Sequence, residues 1–181
     1  TTYLLISLFL IGFVAAVFII PIGLFKLSSE HHYKKGVEYF EAGNYVSALQ
    51  SLDHAIVDFG DKKAEASLLA GKILVKKFDQ HRKALSYLKD GLKLAKTNQQ
   101  KKEFYSLIAA CYEGFGDFGR AESYYLESAR FGMLGDSVSL KLAQIHSFHL
   151  GKYEKAGPRF IRLTESEQPP YQSFMGPGIA I

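Results

Sequence analysis

Gly43-Asn44-Tyr45-Val46-Ser47-Ala48-Leu49 recurs in this chain as Gly116-Asp117-Phe118-Gly119-Arg120-Ala121-Glu122 and again as Gly151-Lys152-Tyr153-Glu154-Lys155-Ala156. A degenerate copy, Lys77-Phe78-Asp79-Gln80-His81-Arg82-Lys83-Ala84-Leu85, lies between the first two. The alanines Ala48, Ala84, Ala121 and Ala156 are therefore 36, 37 and 35 residues apart. A steady period of this length marks a repeat architecture, each unit being one supersecondary element stacked on the next.

The residues flanking each copy give the unit its form. Ahead of Gly43 stand Tyr33, Gly36, Val37, Tyr39 and Phe40; after it come Ala48, Leu49, Leu52, Ala55 and Ile56. Both sets follow the i, i+3, i+4, i+7 spacing of an amphipathic helix. The glycine ends the first helix, where a left-handed backbone is wanted. The aromatic residue two positions on fills the corner, and the small alanine lets the two helices approach closely. Such a pair cannot bury its faces alone, so pairs stack. The spacing predicts an all-α fold with turns at Gly43, about Phe78–Gln80, Gly116 and Gly151, and a one-residue insertion around Phe78–Arg82.

In this register the chain resembles the tetratricopeptide-repeat family. The first unit matches at Gly36, Tyr39, Gly43, Tyr45, Ala48, Leu52 and Ala55, with Gly60 where the family usually has Pro. The second matches at Gly71, Ala84 and Leu88; the third at Tyr112, Gly116, Phe118, Ala121 and Tyr125; the fourth at Ala143, Gly151, Tyr153, Ala156 and Phe160. The resemblance covers residues 29–165, in units of about 29–62, 64–98, 102–135 and 137–167. It implies a right-handed α-solenoid of about four helix pairs that binds other proteins and is not an enzyme. Gly157-Pro158 departs from the pattern, because Pro inside a helix removes a hydrogen bond and clashes with the preceding turn. The fourth unit's second helix is expected either to kink there or to start late, with Pro158 in its first turn.

Leu4 to Phe25 is a run of 22 residues without a charge. As a helix it measures about 33 Å, enough for a hydrocarbon core of about 30 Å. It is too long for the apolar region of a signal peptide, and it lacks the polar face of a core helix. Residues 1–27 are therefore expected to form a single-pass transmembrane anchor, with membrane lipid around residues 4–25. Lys26, Lys34 and Lys35 follow the run while Thr1, Thr2 and Tyr3 precede it, which favours the repeats on the cytoplasmic side. A basic segment ahead of Thr1 would reverse that and place them in a periplasm or lumen.

Composition narrows the chemistry. Lys and Arg number 22 against 18 Asp and Glu, interspersed rather than gathered into a stripe, so no nucleic-acid partner is expected. Cys111 is the sole cysteine and reads as a buried helix residue. No zinc-protease, P-loop, nucleophile-elbow or Rossmann pattern is present. The pair His146 and His149 lacks the further ligands a metal needs, and His31-His32 reads as interfacial. The glycine-rich run at 114–119 is explained as an interhelical turn. No catalytic residue, metal or cofactor is expected.

In the proteins it resembles, the first helix of each pair lines a concave groove that takes a peptide or a partner's helix. Carried over by register, the lining is Tyr33, Val37 and Phe40, then Leu68, Lys72 and Lys76, then Ser106, Ala110 and Glu113, and last Lys141, Ile145 and His149. The family's carboxylate clamp needs Lys and Asn where this chain has Tyr33 and Val37, so that activity is disfavoured. The expected role is a scaffolding subunit of a larger membrane complex, with other protein subunits, themselves membrane proteins, as partners. The alternatives are a membrane receptor or adaptor that captures peptides or clients transiently, and a regulator of a membrane enzyme. The segment 168–181, punctuated by Pro and Gly, is expected to be an extended tail. Its Phe174, Met175, Ile179 and Ile181 dock on a partner, or else cover the apolar edge at Phe160, Ile161 and Leu163.

Overall fold

The computed structural model describes residues 20–57, 61–132, 136–152, 154–155 and 157–158. All regular secondary structure among them is helical. The helices are α1 (Ile20–Glu41), α2 (Tyr45–Val57), α3 (Lys63–Lys77), α4 (His81–Leu92), α5 (Asn98–Gly114), α6 (Phe118–Ala129) and α7 (Asp136–Gln144). α7 runs directly into a π turn over Ile145–His149. Each helix packs on its successor in antiparallel pairs, and α3 also touches α1 and α5. That pattern is a solenoid of helix pairs, with α1, α3, α5 and α7 as first helices and α2, α4 and α6 as second helices.

The turns follow the sequence pattern. Gly43, Gly116 and Gly151 have φ of 76°, 74° and 61°, and Asp79 takes the same left-handed conformation at 54°. Asp tolerates that region better than most residues because its short polar side chain bonds locally; here its carboxylate lies 2.7 Å from His81 Nε2. The next residue caps the following helix. Asn44 Oδ1 accepts from the Ser47 amide at 3.2 Å, and Asp117 Oδ1 accepts from the Arg120 amide at 3.0 Å. Thr97 and Gln100 form a full capping box at the start of α5, satisfying donors that the first turn leaves open.

Small residues set the helix spacing. Ala48, Ala84 and Ala121 are fully buried, as are Ala55 and Ala109. Gly36 lies under Leu52 and Gly71 under Leu88, each with no room for a methyl group. One core cluster centres on Leu52, Ala70 and Ile73, the other on Leu88, Phe104, Ile108 and Tyr125; Leu49 packs against both, so the core runs on from pair to pair. Cys111 lies within the second cluster, and burial pushes its thiol up to about 12.

A paired substitution tests this spacing. A Cβ on Gly91 falls 2.6 Å from Ser67 Cβ and 2.7 Å from the Phe104 ring, whereas one on Gly119 meets only Asp117 Oδ1 at 3.9 Å. Gly91→Ala should cost about 2 kcal/mol, overpacking outweighing the helix gain. Gly119→Ala should instead stabilise by roughly 0.5–1 kcal/mol. Urea denaturation of both variants checks the pair.

Hydrogen bonds at the turns correct the register in two units. In the first and third, the Asn44 and Asp117 amides donate to the Tyr39 and Tyr112 carbonyls, five residues back. In the second and fourth, Gln80 donates to Leu74 and Lys152 to His146, six residues back. The extra residue of the second unit thus sits in the last turn of α3, before Asp79, rather than across Phe78–Arg82. The fourth unit carries the same insertion, which the sequence pattern did not predict, and absorbs it as the π turn. A π turn is the usual way for a helix to take up one extra residue.

Most of the expected anchor, Leu4–Ile19, lies outside the described residues, and no helix among those described is long and apolar enough to cross a membrane. Ile20–Phe25 form the start of α1, which continues without a break through Ser28 to Glu41. No linker separates Ile20–Phe25 from the first repeat. The tail residues Phe174, Met175, Ile179 and Ile181 lie outside the described residues, as do Tyr153, Ala156, Phe160, Ile161 and Leu163. Of the fourth unit's second helix, Glu154, Lys155, Gly157 and Pro158 are described, all with helical backbone.

Candidate protein-binding surfaces

The first-helix face is built from one column of positions flanking the buried small residue of each unit, namely Gly36, Gly71, Ala109 and Ala143. Three residues ahead stand Tyr33, Leu68, Ser106 and Leu140; one residue after stand Val37, Lys72, Ala110 and Gln144. Tyr33, Val37 and Phe40 are half-buried, with Phe40 against Tyr45 at 5.9 Å and the Lys62 ammonium 5.7 Å from the Tyr33 ring. Leu68, Ser106, Ala110 and Glu113 are half-buried, while Lys72 and Lys76 are exposed. Neither lysine has a carboxylate partner among the described residues.

The fourth unit differs from the expected lining. The sequence register names Lys141, Ile145 and His149, but the π turn shifts the register by one, and Leu140 and Gln144 occupy the column. Ile145 is 2% exposed and belongs to the core, so it offers no surface to a partner. His149 stacks on Phe118 with ring centroids 3.5 Å apart and planes 8° apart. Phe148, within the turn, is 77% exposed, and Leu140 in α7 is exposed as well.

Two polar joints tie the fourth unit to the third. Glu113 accepts from the Lys141 ammonium at 2.7 and 2.9 Å and from the Tyr125 hydroxyl at 2.8 Å. Burial, and then the Glu113 charge, push the Tyr125 phenol up. Glu113 and Lys141, both expected on the groove, are thus brought together as an ion pair between first helices. In the second joint the buried Glu122 carboxylate holds His146 Nε2 at 2.8 Å and the Lys152 ammonium. Burial raises the Glu122 carboxyl, but hydrogen bonds from Lys152 and His146, with their charge, outweigh it and hold the group below its ordinary value.

The second-helix face carries clefts that the sequence reading passed over. One of roughly 270 Å³ opens between α2 and α4, lined by Val46, Leu49 and Phe78 with Gln50, Gln80 and Lys83 at its edge. Another of roughly 470 Å³ opens between α4 and α6 around Lys89, Leu92 and Tyr124. The signal in the sequence was Phe78 and Phe115, large apolar residues just ahead of a left-handed turn, where the first unit has Ala42; both are exposed.

Among the described residues no group of three or more His, Cys, Asp or Glu is placed to hold a metal ion. The His32 ring lies tilted against His54 at 5.1 Å and edge-on to His31 at 5.8 Å.

No protein-family model and no curated protein matches this sequence. Solved structures do match by shape. A crystal structure of MamA has 20% identity over 77% of this chain and 78% of its own, with a TM-score of 0.66. Pseudomonas aeruginosa pilF has 17% identity, covering 81% of this chain and 65% of its own, at 0.66. A tetratricopeptide repeat protein from Parabacteroides merdae has 17% identity, covering 81% of this chain and 56% of its own, at 0.65. At such identities the likeness is one of fold, and it agrees with the turn geometry and the small-residue spacing: this chain has the helix-pair solenoid fold of tetratricopeptide-repeat proteins.

Proposed function

We propose that this chain is a non-enzymatic scaffold that holds other protein subunits together in a complex at a membrane. The observation that carries this reading is the first-helix face. It runs across all four units with Lys72 and Lys76 unpaired among the described residues and with Leu140 and Phe148 exposed. An apolar side chain left in water forfeits roughly 25 cal/mol for each Å² that a partner could cover. The aromatic and aliphatic anchors with a polar surround match what binding surfaces use.

The membrane half of the proposal rests on the uncharged run Leu4–Phe25, with the repeats on the cytoplasmic side. Because α1 runs from Ile20 into the first repeat without a break, an anchor ending there would hold the solenoid close to the bilayer with little freedom. The tail 168–181 is proposed to dock on the partner through Phe174, Met175, Ile179 and Ile181.

Purification of the full chain in mild detergent, followed by mass spectrometry, tests both halves. A partner should co-purify in fixed ratio, and Lys72→Glu combined with Phe148→Ala should lower its recovery at least tenfold. Retention of the partner by that variant removes the first-helix face from the proposal. A substoichiometric, exchangeable partner points instead to the receptor or adaptor reading. Extraction of the chain from membranes by alkaline carbonate would defeat the anchor without touching the scaffold.

A further inference from the structure

We infer that the second-helix face carries a separate docking track, and that its occupant is an extended acidic protein segment bearing apolar side chains. The two clefts described above lie on this face, one between α2 and α4 and the next between α4 and α6, one repeat apart. They are distinct from the first-helix face, so this inference stands or falls independently of the scaffold reading.

The apolar part of the occupant is read from the first cleft. Val46 is exposed on α2 and Phe78 on the turn before α4, with Leu49 between them, half-buried and already part of the core. An apolar side chain inserted there would cover Val46 and Phe78 together. The Gln50 and Gln80 amides at the rim offer donors and acceptors to a passing backbone. Phe115 repeats the position of Phe78 one unit on, each being the residue that ends a first helix before its left-handed turn.

The acidic part is read from the unmatched cations. Each cleft has one Asp, and each Asp is already engaged. Asp53 accepts from the Tyr87 hydroxyl at 2.7 Å, and Asp90 from the Lys93 ammonium at 2.7 Å. The remaining lysines lie over aromatic rings instead of carboxylates. Lys83 is 5.8 Å from the Tyr87 centroid, and Lys89 is 5.7 Å from that of Tyr112, with 3.2 Å to its hydroxyl. Arg82, exposed and one residue ahead of Lys83 on α4, has no ion-pair partner among the described residues. A row of cations along α4, Arg82, Lys83 and Lys89, with the Asp of each cleft already engaged, suits carboxylates spaced along an extended chain. Complementary charge of this kind speeds encounter and fixes register.

The test uses the full chain in mild detergent and a capped hexapeptide with two acidic residues on each side of a Leu-Phe pair. Binding is followed by the methyl signals of Val46, Leu49 and Leu92. The expected result is saturable shifts at those methyls, with a dissociation constant on the order of 1 mM or tighter at low salt. Affinity should weaken as salt is added. Lys83→Glu with Lys89→Glu should weaken binding at least tenfold, and so should replacing the peptide's acids by amides. Lys72→Glu with Lys76→Glu should change it less than twofold. Should Lys89→Glu disturb the fold by circular dichroism, Lys83→Glu with Arg82→Glu serves in its place. The absence of saturable shifts overturns the inference. So does binding weakened by the Lys72 and Lys76 changes alone, which would place the peptide on the first-helix face.

Discussion

Ala121→Arg and Ala48→Arg should each cost more than about 4 kcal/mol, enough to unfold the repeats near room temperature. Both alanines are fully buried where a second helix crosses its first. A guanidinium at either site must stay between the helices as an unpaired buried charge, or pry them apart to reach water. The first route carries an effective penalty of several kcal/mol per ion. The second separates Ala121 from Cys111, Tyr112 and Tyr125, or Ala48 from Leu52 and Ile73, its neighbours in the two core clusters. Gln144→Arg, at an exposed site, should stay within about 0.5 kcal/mol of the parent. Thermal melting by circular dichroism distinguishes the cases. Unchanged cooperative melting in both alanine variants would show that the helices do not meet at those residues.

Glu122→Ala should lower stability by about 2–3 kcal/mol at neutral pH, with the loss concentrated in the fourth unit. The substitution strands the buried His146, whose Nδ1 already lacks a partner, and removes the only carboxylate that Lys152 meets among the described residues. The Lys152 pair contributes the smaller share, because that side chain is 40% exposed and water screens it. The pH dependence follows from the depressed Glu122 carboxyl. A depressed carboxyl binds protons more weakly in the folded chain than in the unfolded one. Its stabilisation is complete above its ordinary value of 4.5 and lost as pH falls through the lower folded value. The gap between parent and Glu122→Ala should therefore be full at pH 7 and shrink below pH 4.5. Hydrogen exchange of amides across α7 and the π turn, measured against pH, reads it out. A gap that stays constant down to pH 3 would mean that the ionised carboxylate is not what holds the fourth unit.

The positions of Gly43, Gly116 and Gly151 announced their turns, because a left-handed backbone selects glycine wherever it occurs. Asp79 was harder, since the residue there is not glycine and the surrounding unit is longer by one. The column Tyr33, Leu68 and Ser106 was likewise legible from the 3.6-residue period, which fixes which residues share a helix face. The same count put Ile145 on that face, where the structure buries it in the core. An inserted residue inside a helix rotates everything beyond it by about 100°, and no local sequence feature marked where the rotation fell. The clefts at Val46 and Phe78, and at Leu92 and Tyr124, lie between second helices that are neighbours only after the pairs have stacked.

By itself the sequence determined the repeat, the helix pairing and the small-residue contacts, because these depend on neighbours within one unit of some 36 residues. Only the tertiary structure decided that the extra residue of the fourth unit becomes a π turn, that Ile145 goes inward and Phe148 outward. It alone brought Glu122 to His146 and Lys152, 24 and 30 residues away, and Glu113 to Lys141, 28 residues away. Those pairings depend on how one unit stacks on the next, and the free energy that selects them, the burial of charge against its partner, exists only once the units are in contact.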